Sequence, residues 1–523
     1  MTVPGAAAPR PAAAAPSRWP PRWFWCVALA LLYVVPYYPR IQSANELPRA
    51  YLVKALVDHG TVAIDDGVAR WGATADVSPS RGHLYSNKAP GTSLVVAPAY
   101  ALVKLALGRE PGLALTIWLG RVLTGVLPTL ALVLLLSSAL RRYGVSDPAR
   151  RLAVLVYAFG SMATPYSVLF IAHQPSAVAL AVAWLLAQRV ADDPAGEGGR
   201  RARRTMLLAG AAAGLAPLLD YQAALALPLL ALFFAWRMAH RSDRLALVLS
   251  AAAAAAVPLA VLLGYHQLAF GSPWRTGYDA SVTFANYHQQ GFLGLHGPRW
   301  EAFSRSLFGV DTGLLTLTPW LALSVGGLAL LWRSGRRAEA ALLGGLGALY
   351  VLFQSSLSFW RGGWQVGPRY IVVMLPFFVP GLALALDRVA GRRVASVLAA
   401  AACLAGVAVF AGTTAQFPYF PERFANPVAE VTLRLWREGQ AAPNPLRWLG
   451  VPGPWSLLPY LGVIGAPLMV SLRALTGSWG RVLLAAALAA AFVTTGLEHL
   501  AGAHTPQEAA YRWIVESMQA GAR

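Results

Sequence analysis

Apolar stretches of about 18 to 25 residues recur along almost the whole chain, each long enough to cross a hydrocarbon core about 30 Å thick at 1.5 Å per helical residue. In hydrocarbon every backbone N–H and C=O must be satisfied within the segment or its sheet, so uninterrupted runs of this length fold as helices. This predicts an all-α polytopic membrane protein. The composition agrees: of 523 residues, 57% are hydrophobic and 13% charged, against roughly 25% charged in an ordinary soluble domain. No separate soluble domain is visible.

The formal charge is +20, from 43 Lys and Arg against 23 Asp and Glu. The arginines fall in short clusters between apolar runs, a pattern of cytoplasmic loops rather than of nucleic acid binding. The clusters are Arg18 with Arg22, Arg141 with Arg142, Arg150 with Arg151, Arg189 to Arg204, Arg237 to Arg244, Arg333 to Arg337, Arg388 to Arg393, and Arg473 with Arg481. Placing them all inside predicts about 13 transmembrane helices and a cytoplasmic amino terminus. The expected spans are 23–40, 113–140, 150–171, 174–190, 205–219, 221–236, 245–268, 313–331, 338–357, 370–387, 394–413, 456–474 and 481–497. Segment 91–107 is expected to be an interfacial helix, because a full span there would reverse the Arg141 cluster. Residues 1–22 read as a disordered cytoplasmic tail, 23–497 as the membrane domain with its first outer loop at 41–112, and 498–523 as an outer tail. The two cysteines, Cys26 and Cys403, lie within apolar runs and suggest neither a disulfide framework nor a zinc site.

The long polar segments 41–90, 269–312, 358–369 and 414–455 then lie on the outer face, where functional residues are expected. In the first of them Glu46 and Arg49 are three apart and share a helical face, with Pro48 suited to the first turn. Asp65 and Asp66 follow at a turn, then Asp76, and the run Tyr85 to Gly91 brings Lys88 back to the membrane at headgroup level.

The order of first span, acid-x-x-Arg, and Lys-x-Pro-Gly before an interfacial helix resembles the GT-C membrane glycosyltransferases. The likeness is to the protein O-mannosyltransferase and lipid A aminoarabinose transferase group. The phrases FGSPWRTGYD, GVDTGLLTLTPW and WQVGPRYIVVMLPFF are similar to segments of this group, and the resemblance spans roughly residues 20–390. It implies a GT-C-type helical bundle whose first extracytoplasmic loop carries short interfacial helices. It also implies Glu46 as catalytic base, with Arg49 and Lys88 on the phosphate of a polyprenyl-phosphate sugar. This chain has Asn45-Glu46 where the family often has Asp-Glu, so Glu46 acts alone or with Asp65, Asp66 or Asp76. Such transfer suits these residue types: a carboxylate takes the acceptor's proton while cations stabilise the departing phosphate.

His173, at the outer junction of two expected spans, could orient or deprotonate the acceptor, and Asp220 lies at the next outer junction, where it could contact acceptor or cap a helix. In SFWRGGWQVGPRY, Trp360 and Trp364 could stack on a sugar, while Arg369 could bind the donor phosphate. Two arginines there run against the positive-inside trend, which favours an anionic ligand. Tyr85 is a further sugar or acceptor contact. No nucleotide motif, cofactor or metal site is expected; a divalent ion at Asp65-Asp66 is the open alternative.

The expected activity is inverting transfer of a sugar from a polyprenyl-phosphate donor to a hydroxyl or amine acceptor on a glycan, lipid or protein. The site would be extracytoplasmic, in a bacterial inner membrane. The rival reading is a transporter or flippase of a lipid-linked saccharide, which would place paired charges and broken helices at mid-depth. A ligase or polymerase of another membrane fold would instead carry its functional loop late in the chain.

Overall fold

The computed structural model describes residues 19–35, 43–193, 199–288 and 290–519. Most of the expected amino-terminal tail, the end of the first expected span and the close of the carboxyl-terminal tail lie outside the described residues. Among the described residues, seven helices are long and apolar enough to cross a membrane: Leu113–Tyr143, Arg244–Phe270, Arg337–Ser356, Arg369–Val389, Arg393–Gln416, Gly453–Thr476 and Trp479–Ala501. The count of about 13 is therefore not reached by length and composition. Arg22–Tyr33, Tyr221–Arg237 and Trp320–Arg333 are apolar but shorter, as is Gly91–Leu107. His173–Ala191 and Gly199–Leu219 complete the set near expected spans.

The expected span 150–171 is interrupted. Its helix Asp147–Phe159 stops at Gly160, and a short helix Ala163–Ser167 follows before His173–Ala191 begins. The break is filled from outside: Trp320 Nε1 donates to Gly160 O at 2.6 Å, and a Cβ on Gly160 would press on Val407 at 3.1 Å. Freed backbone is tolerated at this depth because neighbouring helices satisfy it.

Small residues set the closest helix approaches, as expected where lipid is as apolar as leucine and packing must come from contact between backbones. A Cβ on Gly327 would lie 1.7 Å from Gly381 O, and Cβ atoms on Gly210 and Gly214 would strike Ala251 O and Ala255 O. Arginines from three of the clusters, Arg142, Arg237 and Arg336, meet at one end of the bundle. Arg142 pairs with Asp192 at 2.6 Å and Glu339 at 3.4 Å, Arg237 also reaches Asp192, and Arg336 donates to Arg142 O.

At the opposite end the first loop is folded. The helix Leu47–Lys54 has Pro48 in its first turn, as the sequence suggested, and runs into a π-helical turn Ala55–His59 that Gly60 closes in the left-handed conformation. Next come Asp65–Trp71 and a hairpin in which Val77–Ser80 pairs antiparallel with His83–Ser86, Val77 opposite Ser86. A charge cluster centred on the buried Lys54 and Asp58 holds this unit: Lys54 contacts Asp58, Asp66 and Glu110 at 2.9 to 3.0 Å, and Lys104 reaches Asp58. The expected outer tail also has structure. The helix Glu508–Gln519 packs Tyr511, Ile514 and Met518 against Phe417, Phe424, Val431 and Leu435, pinned by Arg434 to Glu508.

Replacing Gly327 by Leu should separate the helices Trp320–Arg333 and Leu375–Val389. The expected result is a fall in the thermal midpoint of the purified protein of several degrees, whereas Gly326→Leu, which faces open space, should leave it nearly unchanged.

Candidate functional site

Between the folded first loop, the hairpin at 359–370, the segment 417–422 and the helix Glu508–Gln519 lies a cavity of about 550 Å³. That is the size of a small-molecule site. Glu46, Asp76, Lys88, Arg121, Arg369 and Glu422 supply its charges, and Tyr278, Tyr287, Phe359, Trp364, Tyr419 and Trp513 its aromatic walls.

Glu46 sits at the N-terminal edge of the helix Leu47–Lys54, wholly buried. Arg121 donates to it twice, Nε to Oε1 at 2.8 Å and Nη2 to Oε2 at 2.9 Å. The Phe170 N–H donates to Oε1 at 2.8 Å and the Tyr419 hydroxyl to Oε2 at 2.7 Å. A carboxylate has about four lone-pair directions, and here all are taken. Burial pushes its pKa up, but the Arg121 charge and the hydrogen bonds outweigh that, so it lies below its ordinary value of 4.5. Arg121 opens a π-helical turn, Arg121–Val126, inside the helix Leu113–Tyr143; such turns often mark functional positions.

Lys88 is held by Asp76 at 3.0 Å, and Asp76 also accepts from Asn87 at 3.3 Å. Burial pulls the Lys88 pKa down, Asp76 opposes this, and Arg369 and Arg49 add to it. Residues 271–288 clasp this side. The Lys88 ammonium lies 5.8 Å above the Tyr278 ring, which stacks on His288 at 4.4 Å. A Cβ on Gly277 would strike Asn87 Cα at 2.4 Å, so only glycine permits the approach. Burial pushes the His288 pKa down to about 4, aided by Lys88, and the ring is neutral at pH 7.

Two guanidinium groups here have no carboxylate partner among the described residues. Arg49, 4% exposed, donates to Asn45 Oδ1, Ala89 O and Thr92 Oγ1, all neutral. Arg369 donates to the Tyr370 hydroxyl at 2.9 Å and stacks 4.9 Å from that ring. A buried cation with no acid in contact is costly; Asp220 and Asp76 act on Arg49 only through space, and an anion could add to that compensation.

The remaining expected site residues are dispersed. Trp364 lines the cavity and meets Trp513 edge-on at 5.1 Å. Asp65 accepts from the Leu84 N–H and contacts His83, and Asp66 pairs with Lys54 and His59, so both pin the first loop and neither lines the cavity. Tyr85 is buried edge-on against Phe270. Trp360 lies 5.7 Å below Arg305, and its carbonyl accepts from Gln354. His173 and Asp220, from separate helix starts, meet at 2.6 Å, with Gln222 beside them. Among the described residues no three His, Cys, Asp or Glu side chains are grouped to hold a metal ion.

Arg121, Tyr419 and Trp513 were not anticipated. Arg121 had a usable signal, an ionisable residue within an apolar span. Tyr419 and Trp513 had none, since only the fold brings them to residues hundreds of positions earlier.

The described residues form a helical, multi-span bundle with a folded first loop closing a charged cavity at one end. No family model and no curated protein matches the chain. Among solved structures it is similar to ArnT from Cupriavidus metallidurans. The apo state aligns with 18% identity and a TM-score of 0.50, over 91% of this chain and 76% of that one. The form bound to undecaprenyl phosphate aligns with 18% identity and a TM-score of 0.51, over 90% and 76%. The likeness is one of fold.

Glu46→Gln should lower stability by about 3–5 kcal/mol by leaving Arg121 buried beside a neutral amide, while the double change Glu46→Gln with Arg121→Met should recover part of that loss. Because the folded pKa of Glu46 is depressed, the pair's contribution is complete above pH 4.5 and is lost as pH falls through the lower folded value. Unfolding midpoints of wild type and Glu46→Gln should therefore converge below that pH.

Proposed function

We propose that this chain is an inverting glycosyltransferase that takes a sugar from a polyprenyl-phosphate-linked donor on the extracytoplasmic face of a bacterial inner membrane and passes it to a hydroxyl or amine acceptor. The observation that carries this reading is the pair Lys88 and Arg369 lining one cavity: Lys88 meets a single carboxylate, Asp76, Arg369 meets none among the described residues, and Arg49 is buried close by without an acid in contact. A phosphate would supply the missing negative charge. The form of ArnT bound to undecaprenyl phosphate, a protein of the same fold, is consistent with such a ligand.

In this reading the acceptor oxygen or nitrogen forms a bond to the sugar's anomeric carbon as the bond from that carbon to the phosphate oxygen breaks. The electron pair leaves with the phosphate, and Lys88 and Arg369 take up its charge. The leaving group then needs no proton, which distinguishes this chemistry from hydrolysis with two carboxylates. The acceptor's proton must go to a carboxylate with a free lone pair. Glu46, the base implied by resemblance, has none while it holds Arg121, Phe170 and Tyr419. Asp76 does: it lines the cavity, and its ion pair with Lys88 loosens as Lys88 turns to the departing phosphate. We therefore assign the base role to Asp76 and a positioning role to Glu46.

Purified protein in proteoliposomes with labelled undecaprenyl-phosphate sugars tests this assignment. Asp76→Asn should lower turnover by about 10²–10⁴-fold while leaving undecaprenyl phosphate affinity equal or higher, since a negative charge is removed. Arg369→Ala should weaken that affinity by about 10- to 100-fold. Unaltered turnover in Asp76→Asn returns the base role to Glu46. Label crossing the vesicle membrane without a change of linkage would indicate transport of a lipid-linked saccharide instead.

A further inference from the structure

A second cavity, of about 310 Å³, lies beside the Arg142–Asp192 pair, between the ends of the helices Leu113–Tyr143 and His173–Ala191. Arg142 and Arg121, the partner of Glu46, share one span, about 30 Å apart along its axis at 1.5 Å per residue. That is about one hydrocarbon thickness, so a membrane with one cavity at its surface has the other at its opposite surface. The polar lining is Arg142, Gln188, Arg189, Asp192 and Asp193, with Leu185 on the apolar side. Asp192 is fixed by Arg142 Nη2 at 2.6 Å, Gln188 Nε2 at 2.8 Å and Arg237 Nη2 at 3.3 Å. Arg241 holds the chain behind it by donating to the Val190 and Asp193 carbonyls. Two atoms of the lining residues have no hydrogen-bond partner among the described residues: the acceptor Gln188 Oε1, on a residue 3% exposed, and the donor Arg142 Nε. Arg189 is exposed and makes no ion pair among the described residues.

Buried polar groups are almost always hydrogen-bonded, and an exception on a cavity wall points to what fills the cavity. Arg142 Nε and Arg189 call for an anionic group. Gln188 Oε1 can only accept, so it calls for an N–H or O–H donor, and the Asp193 carboxylate in the same lining favours a donor that is charged. Two arginines against two aspartates leave the lining near neutral, which suits a ligand of both signs better than one that is only anionic. A phosphate and an ammonium two carbons apart are what an ethanolamine headgroup presents at a bilayer surface, and charged pockets between membrane helices hold lipid headgroups. We propose that this cavity binds a zwitterionic aminophospholipid, its phosphate on Arg142 and Arg189 and its ammonium on Gln188 Oε1 and Asp193. The headgroup ties the end of Leu113–Tyr143 to the end of His173–Ala191, beside the Asp192 that already joins them.

Native mass spectrometry of the delipidated, detergent-purified full chain tests this with dioleoyl phosphatidylethanolamine, phosphatidylcholine and phosphatidylglycerol. Choline keeps the phosphate and the positive charge but has no N–H. The wild type should bind its first ethanolamine lipid about tenfold more tightly than either of the others, the worth of one hydrogen bond to a charged group. Gln188→Leu should erase the preference over the choline lipid. Arg189→Ala, at an exposed position with no ion pair to lose, should keep the wild-type thermal midpoint and weaken both zwitterionic lipids by about three- to tenfold. It decides the matter if Gln188→Leu does not fold. Equal binding of the ethanolamine and choline lipids by the wild type, tighter binding of the glycerol lipid, a preference that survives Gln188→Leu, or unchanged lipid affinity in Arg189→Ala would each overturn the site.

Discussion

The bidentate pair of Glu46 with Arg121 fastens the first loop to the helical bundle. It joins the first helix of the loop to the π-turn of a membrane span, and through the Phe170 N–H and Tyr419 hydroxyl it reaches two more parts of the chain. Four segments far apart in sequence therefore meet on one carboxylate. A buried ion pair gives little net stability over an apolar substitute, but removing one partner is severe. Its value here is positional. It fixes the distance between the wall that carries Lys88 and the wall that carries Tyr419 and, through Phe420, the hairpin at 359–370.

From that junction the electrostatics of the cavity follow. Glu46 neutralises Arg121, and Asp76 neutralises Lys88, leaving Arg49 and Arg369 without an acid among the described residues. Low-dielectric surroundings strengthen the field of such charges. The clasp of residues 271–288, with Tyr278 over Lys88, and the helix Glu508–Gln519, with Trp513 at the cavity, form two of its walls. The chain thus brings charges of both signs and aromatic faces to one cavity.

The helical membrane architecture was legible because hydropathy is a one-dimensional signal: a run such as 394–413 must cross or be buried whatever its neighbours do. The break at Gly160 was not, since it depends on Trp320 donating to a carbonyl 160 residues away. Within the site, Lys88 and Arg369 could be picked out by their place beside aromatic and glycine-rich outer segments. The role of Glu46 could not be read locally, because what occupies its lone pairs lies 75 and 373 residues distant. Asp65 and Asp66 looked catalytic as a pair of acids at a turn, yet the fold turns them to the first loop's own lysine, histidines and backbone. Charge type is visible in sequence; which partner satisfies it is a property of the fold.

The central claim is that this cavity holds the phosphate of a polyprenyl lipid. The most direct measurement is a cryo-EM map of the full chain with undecaprenyl phosphate. The account predicts phosphate density within hydrogen-bonding distance of Lys88 and Arg369, with Arg49 next to it and the lipid tail running out between helices. Phosphate density bound elsewhere, with Lys88 still paired to Asp76 and Arg369 still on Tyr370 alone, would contradict it.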